Sequence, residues 1–253
     1  MMKRLLDNRW IATLFEPHRQ DSFILIGFLA VAAALFGFVQ LASEVVEGDT
    51  SAFDKQVLQT LRTAADPAVP IGPSSLKTAM IDFTALGGVA VLTLITVLAV
   101  GYLLASRKRA TAGFVVLSIA GGAILSAGIK SLFSRSRPEI VPHLVDVTSA
   151  SFPSGHAMNS SIVYLTLAVL LARAEDKRLI QIYLIMIAIA LALLIGTTRV
   201  YLGVHWPTDV LAGWSVGAIW AALCSLIAKQ LQRSRKIEGP DGEPADLDPA
   251  RPG

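Results

Sequence analysis

Five stretches of this chain are long and apolar enough to cross a lipid bilayer, which restricts the fold class before any other feature is considered. A membrane-spanning helix needs about 20 mainly apolar residues to cover the hydrocarbon core. Phe23–Ala42 supplies 20 with only Gln40 strongly polar, and Phe83–Ala105 supplies 23 without a charge. Ala110–Ile129 adds 20 and stops at Lys130; Leu179–Thr198 adds 20, and Val210–Ala228 adds 19. Ala157–Ala172 is a weaker sixth, 16 residues with Asn159, Ser160 and Ser161 near its start. Its place between two clear spans predicts a crossing whose polar first turn faces the protein interior. Inside lipid every backbone donor and acceptor must find a partner within the segment, so apolar runs of this length are helical. The expected fold is all-α: a polytopic membrane protein with six transmembrane helices in a bundle. Residues 1–21 are read as a cytoplasmic segment and 22–230 as one domain. Residues 231–253, rich in Pro, Gly and Asp, are read as a disordered cytoplasmic tail.

The first run is too long for the apolar core of a signal peptide, lacks a clear small-residue cleavage site, and is read as a retained span. Short loops carry the orientation signal, because Lys and Arg accumulate on the cytoplasmic side. With the N-terminus inside, 15 of the 22 basic residues fall on the cytoplasmic face and 7 on the other. Both termini then face the cytoplasm. The longest outer loop, Glu44 to Lys77, contains Phe53, Val57 and Leu61 at helical spacing, with Asp54, Lys55, Gln59 and Arg62 between them. This predicts a short amphipathic helix that ends before Pro67, Pro70 and Pro73. It either lies in the interface, with a role in lipid access, or packs on the bundle.

Charged residues are only 16 % of the chain, and a net charge of +3 spread over short loops shows no nucleic-acid patch. Cys224, the single cysteine, cannot form an internal disulfide. Of the seven basic residues on the outer face, four sit within or beside three signatures at span ends. Lys130 precedes Arg137-Pro138; Pro153-Ser154-Gly155-His156 opens the fourth span; Arg199 is followed by His205 and Asp209. The topology puts all three on the outer face. A fixed cluster of Lys130, Arg137 and Arg199 suits an oxyanion, with planar guanidinium forks for phosphate oxygens. Ser154 can cap a helix whose free N–H groups also favour an anion, and His156 enters from its first turn. Asp209 stands four residues after His205. Whether the helix starts at His205 or at Pro207, the carboxylate can hold one imidazole nitrogen and leave the other as a nucleophile. Arg135 lies beside this set but outside its pattern, and contact with lipid headgroups is the expected role.

In combination these residues resemble the type 2 phosphatidic acid phosphatases, a superfamily of membrane lipid phosphatases. Its pattern is Lys, six residues, Arg-Pro; then Pro-Ser-Gly-His; then Ser-Arg, five residues, His, three residues, Asp. Lys130 to Pro138, Pro153 to His156 and Thr198 to Asp209 fit every spacing, with Thr198 in place of Ser as the single departure. The resemblance implies that His205 attacks phosphorus and forms a phosphohistidine, held by Asp209. It implies that His156 protonates the leaving oxygen and later assists water. Lys130, Arg137 and Arg199, with Ser154 and the Gly155 amide, would bind the phosphoryl oxygens. Phosphoryl transfer needs positioning and charge stabilisation above all. With no compact acidic cluster for Mg²⁺ in the sequence, no metal or other cofactor is expected.

The implied substrate is a lipid phosphate or diphosphate: phosphatidic acid, phosphatidylglycerol phosphate, undecaprenyl diphosphate or the phosphates of lipid A. The implied location is a bacterial inner membrane with the site facing the periplasm, and no obligatory protein partner is evident. A lipid-to-lipid phosphotransferase could use the same site. An anion channel or transporter is a third reading; against it, the charges cluster at one face and line no route across.

Overall fold

The computed structural model of the protein describes residues 19–147, 149–173, 175, 177–234 and 236–238. The cytoplasmic segment read for residues 1–21 and the tail read for 231–253 therefore fall largely outside the described residues. Among the described residues eight helices follow in order: α1 (Arg19–Glu47), α2 (Ser51–Thr60), α3 (Ser74–Ala85), α4 (Val89–Ala105), α5 (Arg109–Leu132), α6 (Gly155–Arg173), α7 (Arg178–Tyr201) and α8 (Pro207–Arg233). Among the described residues the sole β-type pairing is an isolated bridge between Arg62 and Pro70. The all-α expectation is met. Five of the described helices are each long and apolar enough to span a membrane, and α3 with α4 makes a sixth if that bent pair is one span.

The second span differs from its expectation. The apolar run Phe83–Ala105 is not one rod: α3 and α4 meet at a 50° bend at 86–88. Gly87 sits in the break, where a Cβ would collide with the Ile195 side chain and come within 3.3 Å of the His156 ring. The bend thus lets the chain approach α7 and the start of α6 more closely than a residue with a side chain could.

The weak fourth span is the central helix. α6 packs on α5, α7 and α8. Ser160 and Ser161 are buried there, each donating to the Ala157 carbonyl, so its polar first turn does face the interior. In lipid, helices associate through close backbone approach and polar contacts, not through expulsion of water. Gly213 and Gly217 of α8 show this: a Cβ at Gly213 would stand 2.7 Å from the Ser154 carbonyl, and one at Gly217 would stand 2.8 Å from that of Met158. Trp214 and Trp220 flank the seam, their indole N–H groups donating to Ala192 and Ser118 carbonyls at 2.9 Å. Outside, Leu94, Val97, Leu98, Leu117, Ile124 and Leu179 are exposed, the surface a bilayer would cover.

α2 packs on the bundle. Its inward face is set by Asp54 and Leu58, both with no exposed surface, whereas Phe53 is half-exposed. Leu58 joins Val141, Ala157, Val200 and Val210, with Val57 and Leu61 alongside. The stripe expected from Phe53, Val57 and Leu61 is therefore rotated so that a carboxylate lies at its centre. Beyond α2, Arg62 is also buried and donates to the Tyr201 carbonyl at 3.0 Å.

Candidate active site

Four helix ends meet at one end of the bundle: the last turns of α5 and α7 and the first turns of α6 and α8. Between them lies a cavity of about 370 Å³ lined by Lys130, Arg137, Gly155, His156, Arg199 and His205, with Thr84 on its wall and Val145, Asp146, Val147 and Ser149 along one side. Of the eight residues expected from sequence, six line this space. Asp209 stands behind His205. Ser154 does not line the cavity: its hydroxyl is buried without a hydrogen-bond partner, while its amide donates to the Asp209 carbonyl at 2.9 Å.

Each cation is held at a defined place. Lys130 is in the last turn of α5, and its Nζ is 3.7 Å from the point where a Cβ on Gly155 would sit. The glycine leaves that approach open. Arg137 is fixed by the Val204 carbonyl at 2.6 Å and the Ser149 carbonyl at 2.8 Å. Arg199 is 3 % exposed, donates from Nη1 to Thr84 Oγ1 at 2.9 Å, and keeps an Nε without a protein partner. A buried charged donor left unmatched by protein is costly unless a ligand completes it, and an oxyanion is the matching ligand.

α8 begins at Pro207, so Asp209 lies in its first turn and reaches back. Its Oδ2 accepts the Trp206 N–H at 2.9 Å and the Ser151 hydroxyl at 2.5 Å, and stands 3.4 Å from His205 Nδ1. On the other side of the ring, His205 Nε2 faces Arg137 Nη1 at 3.2 Å. A guanidinium can only donate, so Nε2 must accept, and the imidazole proton belongs on Nδ1 towards Asp209. The ring is buried, and that burial depresses its pKa to about 4; Asp209 opposes the shift and Arg137 and Arg199 add to it. His205 is a neutral base at neutral pH. Burial also draws Arg137 below its ordinary value, against the attraction of Asp209, but a guanidinium keeps its charge throughout.

Arg135 corrects its expectation. It does not reach outward to lipid headgroups: Nη1 is 2.6 Å from Asp209 Oδ1, and Nη2 is 2.6 Å from Asp54 Oδ2. Thr84, Ser151 and Asp54 were also absent from the sequence-derived set. No local signal marks them, because each meets its partner only through the packing of distant segments.

Fold and site define a helical integral membrane protein with a cation-lined, histidine-bearing cavity at one end of its bundle. The model of the PAP2 superfamily matches residues 111–233, which contain all three signatures. Phosphatidylglycerophosphatase B of Bacillus subtilis is 34 % identical over 176 residues, covering 67 % of this chain and 83 % of that protein. An undecaprenyl-diphosphatase of Sulfolobus acidocaldarius is 38 % identical over 91 residues, covering 36 % of this chain and 39 % of that protein. Among solved structures, a transmembrane PAP2-type phosphatidylglycerolphosphate phosphatase from Bacillus subtilis superposes with a TM-score of 0.71 at 28 % identity, covering 80 % of this chain and 98 % of that one. The chain belongs to the PAP2 superfamily.

Proposed function

We propose that this protein removes phosphate from a membrane lipid through a covalent phosphohistidine on His205. The observation that carries the reading is the convergence of Lys130, Arg137, Arg199, His156 and His205 on one cavity. The Nε2 lone pair attacks phosphorus while the bond to the lipid oxygen breaks. His156 gives that oxygen its proton. Asp209 stabilises the positive charge that develops on the imidazole, and the three cations hold the phosphoryl oxygens. In the second half a water, deprotonated by His156, attacks phosphorus, the nitrogen–phosphorus bond breaks, and inorganic phosphate leaves. The cations supply the charge neutralisation that Mg²⁺ gives in other phosphoryl transfers and repel a divalent ion, which supports a metal-independent reaction.

The substrate class is a phosphate monoester or diphosphate on a lipid anchored at headgroup depth. Phosphatidylglycerol phosphate is the first candidate, since the relative named for it matches over most of both chains. The bias of Lys and Arg supports cytoplasmic termini and a cavity on the outer face of a bacterial inner membrane. A phosphate-release screen of the purified protein against phosphatidylglycerol phosphate, phosphatidic acid, undecaprenyl diphosphate and a lipid A phosphate tests the reading. The expected result is free phosphate, most of it from the first lipid supplied pure, which also separates hydrolysis from obligatory transfer to a second lipid. Release from none of the four would overturn it.

A further inference from the structure

Both carboxylate oxygens of Asp209 are committed. Oδ2 serves Ser151, the Trp206 amide and His205, while Oδ1 is tied to Arg135 at 2.6 Å. Arg135 is in turn gripped from α2. Its Nη2 donates to Asp54 Oδ2 at 2.6 Å, its Nη1 also donates to Thr208 Oγ1 at 2.8 Å, and its guanidinium lies 5.5 Å from the centre of the Trp206 ring. Asp54 completes the frame by accepting the Thr208 amide at 3.0 Å and its hydroxyl at 2.7 Å, at the first turn of α8. Asp54 and Asp209 are both fully buried.

Two buried carboxylates bridged by one guanidinium are a poor way to gain stability, because desolvation offsets most of the attraction. Leu58 and its neighbours already attach α2 to the bundle. The arrangement has two consequences for His205. With Oδ1 locked, the Asp209 carboxylate cannot rotate, and Oδ2 stays opposite Nδ1. Further, Arg135 alone would cancel the charge of Asp209, and Asp54 restores a net negative charge beside an imidazole that becomes cationic when it bonds to phosphorus.

We propose that Asp54 and Arg135 are positioning residues for His205, acting through Asp209 to hold the Nδ1-protonated tautomer and the negative charge behind it. The proposal rests on His205 as the attacking group. Neither residue lines the phosphate cavity.

The test uses the full chain in detergent with nitrogen-15 histidine; the four histidines keep the spectrum simple, and His205→Gln identifies the signal of His205. Asp54→Asn and Arg135→Gln are each expected to lower kcat roughly tenfold or more, as loss of an orienting partner does. KM should stay within about twofold, since a group acting on the transition state leaves ground-state binding intact. The nitrogen-15 shifts of His205 should move from a pure Nδ1–H form towards a tautomer mixture. The Asp54→Asn/Arg135→Gln double variant should be no slower than Arg135→Gln alone, because Asp54 acts through Arg135. Arg135→Lys, which keeps the cation, should retain part of kcat and serves if the Gln variant does not fold. A lowered Tm with unchanged kcat and unchanged His205 shifts would overturn the proposal, as would multiplicative losses in the double variant. Wild-type protein inactive on every lipid would sink the phosphatase reading, while the tautomer readout would still decide this one.

Discussion

Arg199 Nη1 donates to Thr84 Oγ1 at 2.9 Å, tying the end of α7 to the segment just before the α3–α4 bend. Thr84 is buried and is a protein acceptor for a guanidinium that is itself almost wholly enclosed. Thr84→Val keeps the shape and removes the acceptor. A hydrogen bond to a charged group contributes about 1.5–3 kcal/mol, so vanadate, as a phosphate mimic, should bind roughly tenfold more weakly. Inhibition curves on folded variant and wild type provide the measurement, and an unchanged inhibition constant would show that Thr84 does not aim Arg199.

Gly87 links the same bend to the site. A Cβ there meets Ile195, which is fully buried, and lies 3.3 Å from His156 Cδ2. Gly87→Ala is expected to lower both thermal stability and turnover, with an overpacking cost of about 1–3 kcal/mol. The second substitution Ile195→Ala makes room, so the pair should regain turnover relative to Gly87→Ala alone. A thermal melt and a phosphate-release assay on both variants distinguish steric crowding from an indifferent glycine, for which the second change would bring only further loss.

These two contacts show where the sequence was legible. The signature residues sit at helix ends, and their spacings follow from helix geometry and from which ends share a membrane face; that is why six of eight could be placed on one cavity. Hydropathy counts apolar residues but cannot see a bend, so Phe83–Ala105 reads as one span although it runs from the end of α3 through the bend into α4. Asp54 read as the polar side of an amphipathic helix because its partners, Arg135 and Thr208, lie far along the chain. The same contacts turned α2 so that Leu58, not Phe53, entered the core. Ser154 was expected on the cavity from its motif, yet the turn into α6 directs its amide to Asp209 and buries its hydroxyl.

The depressed pKa of His205 has a consequence for stability. Burial holds the folded-state value at about 4, below the ordinary 6.5 of an unfolded chain. Between those values the unfolded state binds a proton that the folded state does not, so His205 makes the protein less stable as pH falls from about 6.5 to 4. Its contribution is flat above that window. His205→Gln should therefore show a shallower decline of Tm across this range than wild type. Parallel melting profiles for the two proteins would contradict the buried neutral imidazole.

Inhibitors test the chemistry independently of the lipid. Activity should survive EDTA if, as proposed, the charge on the phosphoryl oxygens is met by Lys130, Arg137 and Arg199. Vanadate should inhibit, since it adopts the five-coordinate geometry expected at phosphorus between His205 and the leaving oxygen. Phosphate release measured with each reagent settles both points. Loss of activity in EDTA that returns only with Mg²⁺ would defeat the metal-independent reaction, and full activity in vanadate would count against a covalent intermediate.

The two histidines are separated by what happens when each is removed. On the proposed mechanism His205→Ala takes away the atom that would bond to phosphorus, so no phosphoenzyme is expected on any substrate. His156→Ala takes away the proposed proton donor, which would matter only when the leaving oxygen is too basic to depart unaided. With a lipid phosphate, both variants should therefore be inactive. With an activated aryl phosphate, whose leaving group departs without protonation, the His156→Ala protein should still be phosphorylated at His205. The same variant would lack the proposed base that activates water, so the phosphoenzyme should persist. Labelled phosphate retained on protein after denaturation at alkaline pH, where a phosphohistidine survives, is the expected signal for His156→Ala, and none is expected for His205→Ala. Label trapped on His205→Ala instead would exchange the two roles.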